Sequence, residues 1–205
     1  MSVSEATYRQ LALEDSDGQW ELNCGRIRQK PDMTYEHNDV MYEIGRILGN
    51  QLGREQYRVR VNAGRTHIAA GTYYIPDVSV IPLEQARTQQ GTLQLEVYDE
   101  PLPLVIEVWS RLIYDEDVGL RLRDLASTAR LVADPSFGDY DVETKLREYQ
   151  RRGDREIWWV HPYERTITAW RRQPDGSYQE TLYREGAVPC ETLPGVRIDL
   201  AGLFD

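Results

Sequence analysis

The stretch PLPLVIEVWS, residues 101–110, is apolar at nearly every position and carries a single acid, Glu107. A run of this kind has no wet face, so it is expected to form a central strand covered on both sides by other layers. An ionised carboxylate inside such a strand costs several kcal/mol unless a cation compensates it. Glu107 therefore needs a partner, which is either a metal-bearing site or a structural salt bridge to a buried arginine.

Residue patterns place further elements around this strand. Residues 20–29 read as a hairpin with Asn23, Cys24 and Gly25 at the turn. Thr34 is expected to cap a helix in which Val40, Met41, Ile44, Ile47, Leu48 and Leu52 recur at helical spacing until Gly53. From Tyr57 to Val61 the apolar residues alternate with Arg58 and Arg60, as in a strand with one wet face, and residues 66–70 and 73–81 read as further strands. Leu122, Leu125, Ala129 and Val132 make a weaker helical pattern, read as part of an inserted helical arm over 111–140. Residues 141–152 form a second amphipathic helix and 156–162 a strand, in which Trp158 and Trp159 point to opposite faces. TITAW and SYQETLY pair across the turn QPDGS. This order predicts an α/β domain with a central mixed β-sheet flanked by helices. The whole chain, 1–205, is long enough to bury a core of its own.

Hydrophobic residues make up 40% and charged residues 28%, and the mean hydropathy is −0.60, values ordinary for a soluble globular protein. No stretch approaches the roughly 20 apolar residues of a membrane helix. The N-terminus lacks a basic start followed by an apolar run, so a cytoplasmic location is expected, and there a disulfide between Cys24 and Cys190 is not. The formal charge of −10 and pI near 4.9 weigh against an affinity built on broad attraction to phosphate. Two local groups run the other way: Arg54, Arg58, Arg60 and Arg65, and then Arg147, Arg151, Arg152 and Arg155.

Of the 24 basic residues only Lys30 and Lys145 are lysines. A chain that uses arginine wherever a generic cation serves invites a chemical question about each lysine. Lys145 lies on the core-facing stripe of Val142, Leu146 and Tyr149, with Asp141 one turn earlier and placed to orient it; alternatively its stem covers the core while the amine reaches water. Asp77 follows Pro76, where a kink before a strand can aim the carboxylate off the sheet, or where aspartate simply caps a turn. Two carboxylates on neighbouring strands and one lysine are what metal-assisted phosphodiester hydrolysis needs. Other chemistries lack their motifs: there is no GxSxG, GxxxxGK[ST] or GxGxxG, and His37, His67 and His161 have no zinc spacing.

Taken together, Pro76-Asp77, Glu107-Val108-Trp109-Ser110, Asp141-x-x-x-Lys145-x-x-x-Tyr149 and Ile157-Trp158-Trp159-Val160 resemble the "putative restriction endonuclease" family common in cyanobacterial genomes, within the PD-(D/E)XK nuclease superfamily. The likeness runs from about residue 18 to the end of the chain. It implies the restriction endonuclease-like fold and Asp77, Glu107 and Lys145 as catalytic residues. It also implies a divalent cofactor, Mg²⁺ with Mn²⁺ as a substitute, held by Asp77, Glu107 and Val108. His37 matches a histidine typical of that family, the alternative being a packed histidine at the helix start; Asp141, Glu43 and Glu36 are supporting candidates. The expected activity is Mg²⁺-dependent endonucleolytic cleavage of DNA, with a homodimer as a compatible assembly. The rival is a catalytically inactive module that keeps the nuclease fold and binds nucleic acid or a protein through the arm. Two departures stand out. The superfamily pattern puts its lysine two residues after the glutamate, where this chain has Trp109, and the 30 residues between Ser110 and Asp141 make a long connection.

Overall fold

The computed structural model describes residues 2–15, 18–30, 33–110 and 137–205, so the expected arm over 111–140 lies outside the described residues up to position 136. Along the chain the elements are α1 (Glu5–Glu14), β1 (Trp20–Asn23), β2 (Arg26–Gln29), α2 (Tyr35–Gln51), β3 (Tyr57–Val61), β4 (Arg65–Ala69), β5 (Thr72–Tyr74), β6 (Val78–Pro82), α3 (Leu83–Gln89), β7 (Val97–Tyr98) and β8 (Leu104–Val108). After the undescribed segment come α4 (Phe137–Arg152), β9 (Glu156–His161), β10 (Thr166–Arg172), β11 (Tyr178–Tyr183), β12 (Ala187–Pro189), β13 (Arg197–Asp199) and α5 (Leu200–Phe204).

The apolar run becomes β8, buried at all five positions. It sits inside a mixed six-stranded sheet of order β11-β10-β9-β8-β6-β3, antiparallel to β6 and parallel to β9. A second sheet, β2-β1-β5-β4-β7, lies beside it, and β12 and β13 form a separate ribbon. Side chains alternate along β8, so Leu104, Ile106 and Val108 face one layer and Val105 and Glu107 the other. The first layer is α2, which buries Val40, Met41, Ile44 and Leu48 against Val78, Val80, Leu104 and Ile106. Each such side chain contributes about 1.5–3 kcal/mol on full burial. Gly45 lets the helix come close: a Cβ there would meet Val61 Cγ2 at 2.4 Å. The second layer holds Tyr149 of α4 and Ala86 of α3 over Val105 and Ile157.

Local chemistry explains the elements that frame the site. Cys24 (φ 48°) and Gly25 (φ 76°) both adopt the left-handed region, as a two-residue turn between β1 and β2 requires. Thr34 caps α2, its side chain accepting from His37 N–H. Trp158 is fully buried and Trp159 half-buried.

The segment 73–81 differs from the expected single strand. It breaks at Ile75-Pro76-Asp77, with β5 in the five-stranded sheet and β6 in the six-stranded one. Pro76 has no N–H to give to a ladder, so the chain leaves one sheet there and enters the other. Helix α1 has only a thin apolar stripe, its buried residues being Tyr8 and Ala12. Both cysteines are free. Among the described residues no helix is long and apolar enough to cross a membrane.

Candidate active site

The seam between the two sheets carries the charged residues. Val78 of β6 pairs with Ile106 of β8, so one step further along the same antiparallel register Asp77 stands opposite Glu107, and cross-strand partners present their side chains to the same face. Val61 pairs with Val78, and the step beyond it brings Asn62 beside Asp77, where Asn62 N–H donates to Asp77 O at 2.7 Å. Three adjacent strands thus deliver Asn62, Asp77 and Glu107 in a row at one end of the sheet.

Asp77 and Glu107 are 1% and 4% exposed. Asp77 Oδ2 accepts from Val108 N–H at 2.7 Å and lies 3.0 Å from His37 Nε2. A carboxylate only accepts, so Nε2 carries the hydrogen; Nδ1 of the same buried ring has no hydrogen-bond partner among the described residues. The other oxygen, Oδ1, accepts from Lys30 Nζ at 2.6 Å. The Lys30 ammonium also donates to Asn62 Oδ1 at 2.9 Å and to Ile75 O at 3.0 Å, which uses all three of its donors.

Glu107 is held from the other side. Tyr149 donates its hydroxyl to Glu107 Oε1 at 2.6 Å, and Lys145 Nζ lies 3.6 Å from the same oxygen. Both come from α4 four residues apart, so they share one helix face. Lys145 also donates to Glu21 Oε1 at 3.2 Å, and its ammonium sits 5.3 Å from the centroid of the Tyr74 ring. Glu21 is fixed in turn by Ile75 N–H at 2.8 Å. Lys145 is 3% exposed, so its amine is enclosed rather than reaching water, and the cation beside Glu107 is this lysine rather than an arginine.

The two acids respond in opposite directions. Burial works against ionisation of Asp77, but the Lys30 charge and the His37 hydrogen bond outweigh it and hold the carboxyl well below its ordinary range. Burial pushes Glu107 up to about 7; Lys145 works against this rise, and the neighbouring Asp77 charge adds to it. At Glu107 burial thus outweighs the two nearby ammonium groups.

The structure thus brings Asp77, Glu107, Lys145, His37 and the main chain of Val108 into one buried network, together with Glu21, Lys30, Asn62 and Tyr149. Asp141 stands in α4 one turn before Lys145, with its side chain outside the described residues. Glu43 bonds to Arg46 on the same helix, and Glu36 accepts from Tyr163 at 3.2 Å. Trp109, where the superfamily pattern has its lysine, stacks on His161 with ring centroids 4.4 Å apart; the ammonium near Glu107 arrives from α4 instead. Several of the clustered arginines are engaged elsewhere. Arg60 donates to Glu96 at 2.6 Å, Arg65 to Tyr8 at 3.1 Å and Arg152 to Asp154 at 2.8 Å.

Whether such a site suits a divalent ion turns on its donors. Glu21, Asp77 and Glu107 offer hard carboxylate oxygens of the kind Mg²⁺ prefers, so the donors fit in kind. As they stand, no three His, Cys, Asp or Glu side chains among the described residues gather as a ligand set. Lys145 lies between Glu21 and Glu107, and Lys30 is bonded to Asp77.

Comparison with known proteins agrees with this architecture. The family described as "Uma2: Putative restriction endonuclease" matches residues 6–120 and 132–201. A solved structure described as "a putative nuclease belonging to DUF820", from Anabaena variabilis ATCC 29413, superposes with a TM-score of 0.63 at 16% identity, covering 90% of this chain and 89% of that one. That likeness carries the fold, which is restriction endonuclease-like. None of the curated proteins matches.

Proposed function

Since the chain belongs to the Uma2 family, a family of nucleases by its description, we propose that it is an endonuclease that hydrolyses phosphodiester bonds in DNA with the help of Mg²⁺. The observation that carries this reading is the convergence of Asp77, Glu107 and Lys145 from two strands and a helix on one buried network. Asp77, Glu107 and the main chain of Val108 are the groups that would hold the ion, with Mn²⁺ as a substitute. When bound, such an ion supplies Lewis acidity toward the phosphate and eases ionisation of the attacking water.

The chain's own residues supply the rest. Lys145 brings a fixed positive charge toward charge developing on the phosphate, an arrangement that costs no reorganisation because the ammonium is already oriented by Glu21. Tyr149 holds Glu107 by its 2.6 Å hydrogen bond. His37 and Val108 N–H hold Asp77. The negative charge of the whole chain points to a substrate positioned by local contacts rather than gathered by long-range attraction.

Cleavage of supercoiled plasmid in Mg²⁺, by wild type and by Lys145→Ala, tests this. The variant is expected to lose about 10²–10³-fold in rate, the usual cost of removing one preorganised electrostatic group. Equal rates would remove Lys145 from the mechanism. The rival reading, an inactive nuclease-fold module, draws support from the Lys30 ammonium on Asp77 and predicts no metal-dependent cleavage by either protein.

A further inference from the structure

We propose that Lys30 is an internal plug in the cation seat of Asp77, so that a divalent ion enters only by displacing this ammonium. The inference rests on the reading above and adds a control built into the same site. Of the two Asp77 oxygens, Oδ2 is engaged by Val108 N–H and His37, and Oδ1 is engaged by Lys30 at 2.6 Å. A divalent ion approaching that oxygen meets a positive charge already in contact with it, and like charges so close in a buried setting repel strongly.

The seat is shaped for an ammonium. Asn62 Oδ1, Ile75 O and Asp77 Oδ1 surround Nζ at 2.9, 3.0 and 2.6 Å. Three acceptors around one compact donor suit lysine, whereas the flat fork of arginine suits paired acceptors lying side by side. The chain has 24 basic residues and only two lysines, and both lie in this network. Lysine also has a flexible four-carbon stem, which lets the amine leave while the backbone stays in place.

Calorimetric titration of the full chain with Mn²⁺ tests the plug without relying on cleavage. Lys30→Met should bind Mn²⁺ at least about tenfold more tightly than wild type, because the competing charge is gone. Asn62→Gly should shift affinity the same way by a smaller factor. It removes one of the three acceptors, and glycine accepts the left-handed backbone of position 62 (φ 46°). Adding Asp77→Ala to Lys30→Met should abolish the gain. Circular dichroism identifies any variant that fails to fold, and Asn62→Gly carries the test if Lys30→Met is that variant. Equal Mn²⁺ affinity in wild type and in the folded variants overturns the plug and leaves the metal site standing. No Mn²⁺ binding by any of them overturns the metal-dependent reading and the plug together.

Discussion

Replacing Glu107 by glutamine should stabilise the protein in mild alkali and leave its stability in acid unchanged. The folded-state carboxyl titrates at about 7 against an ordinary 4.5, chiefly because it is buried. The folded protein therefore binds this proton more tightly than the unfolded chain does. The stabilisation from that proton is complete below the ordinary value, is lost as pH rises through about 7, and stays lost above it. At about 1.4 kcal/mol per pH unit, the loss amounts to roughly 3 kcal/mol. Glutamine mimics the protonated acid at every pH: it keeps an oxygen for the Tyr149 hydroxyl and removes the charge that burial disfavours. Urea unfolding of the metal-free wild type and Glu107→Gln, followed by tryptophan fluorescence, reads the difference directly. Titrating groups outside the network cancel in the comparison. The two curves should coincide near pH ~4.5 and separate by about 3 kcal/mol near pH ~8.5, the variant being more stable. A constant difference across that range would mean that burial does not raise the Glu107 carboxyl in the folded protein, and the reasoning would be wrong.

Two further outcomes follow from the same network. Tyr149→Phe removes the hydroxyl that favours ionised Glu107, so it should lower stability above neutrality by about 2 kcal/mol and by less in acid, read by the same unfolding curves. Thr34→Ala removes the cap of the helix that presents His37, and thermal or urea unfolding should show a loss of about 1 kcal/mol.

The parts of the site that were legible in the sequence are those that violate their surroundings. Glu107 interrupts an apolar run, Asp77 follows a proline, and Lys145 is a rare lysine on a buried stripe. Glu21 gave no such signal. In Trp-Glu-Leu-Asn it reads as the polar member of an alternating strand, and its role exists only because the second sheet is laid against the seam. Lys30 carried the same rarity as Lys145, but it follows β2 outside any periodic segment, so nothing local marked it as buried. The two-sheet arrangement was hidden for a similar reason. Residues 73–81 have the composition of one strand with a kink at Pro76, and only the ladder partners of β5 and β6 reveal that its two halves belong to different sheets. Helix α2 and strands β8 and β9 were legible because a long apolar stripe or run leaves few alternatives, whereas α1, with Tyr8 and Ala12 buried, offers too little periodicity to stand out.

The chain has two lysines, and both are enclosed, at 7% and 3% exposure for Lys30 and Lys145. The folded molecule therefore shows solvent a cationic surface of guanidinium groups and withholds its side-chain amines. Reagents or enzymes that acylate lysine find their targets only when the carboxylate network opens. Each modified amine would record such an opening, and a lysine acylated there could no longer return as the ammonium it had been.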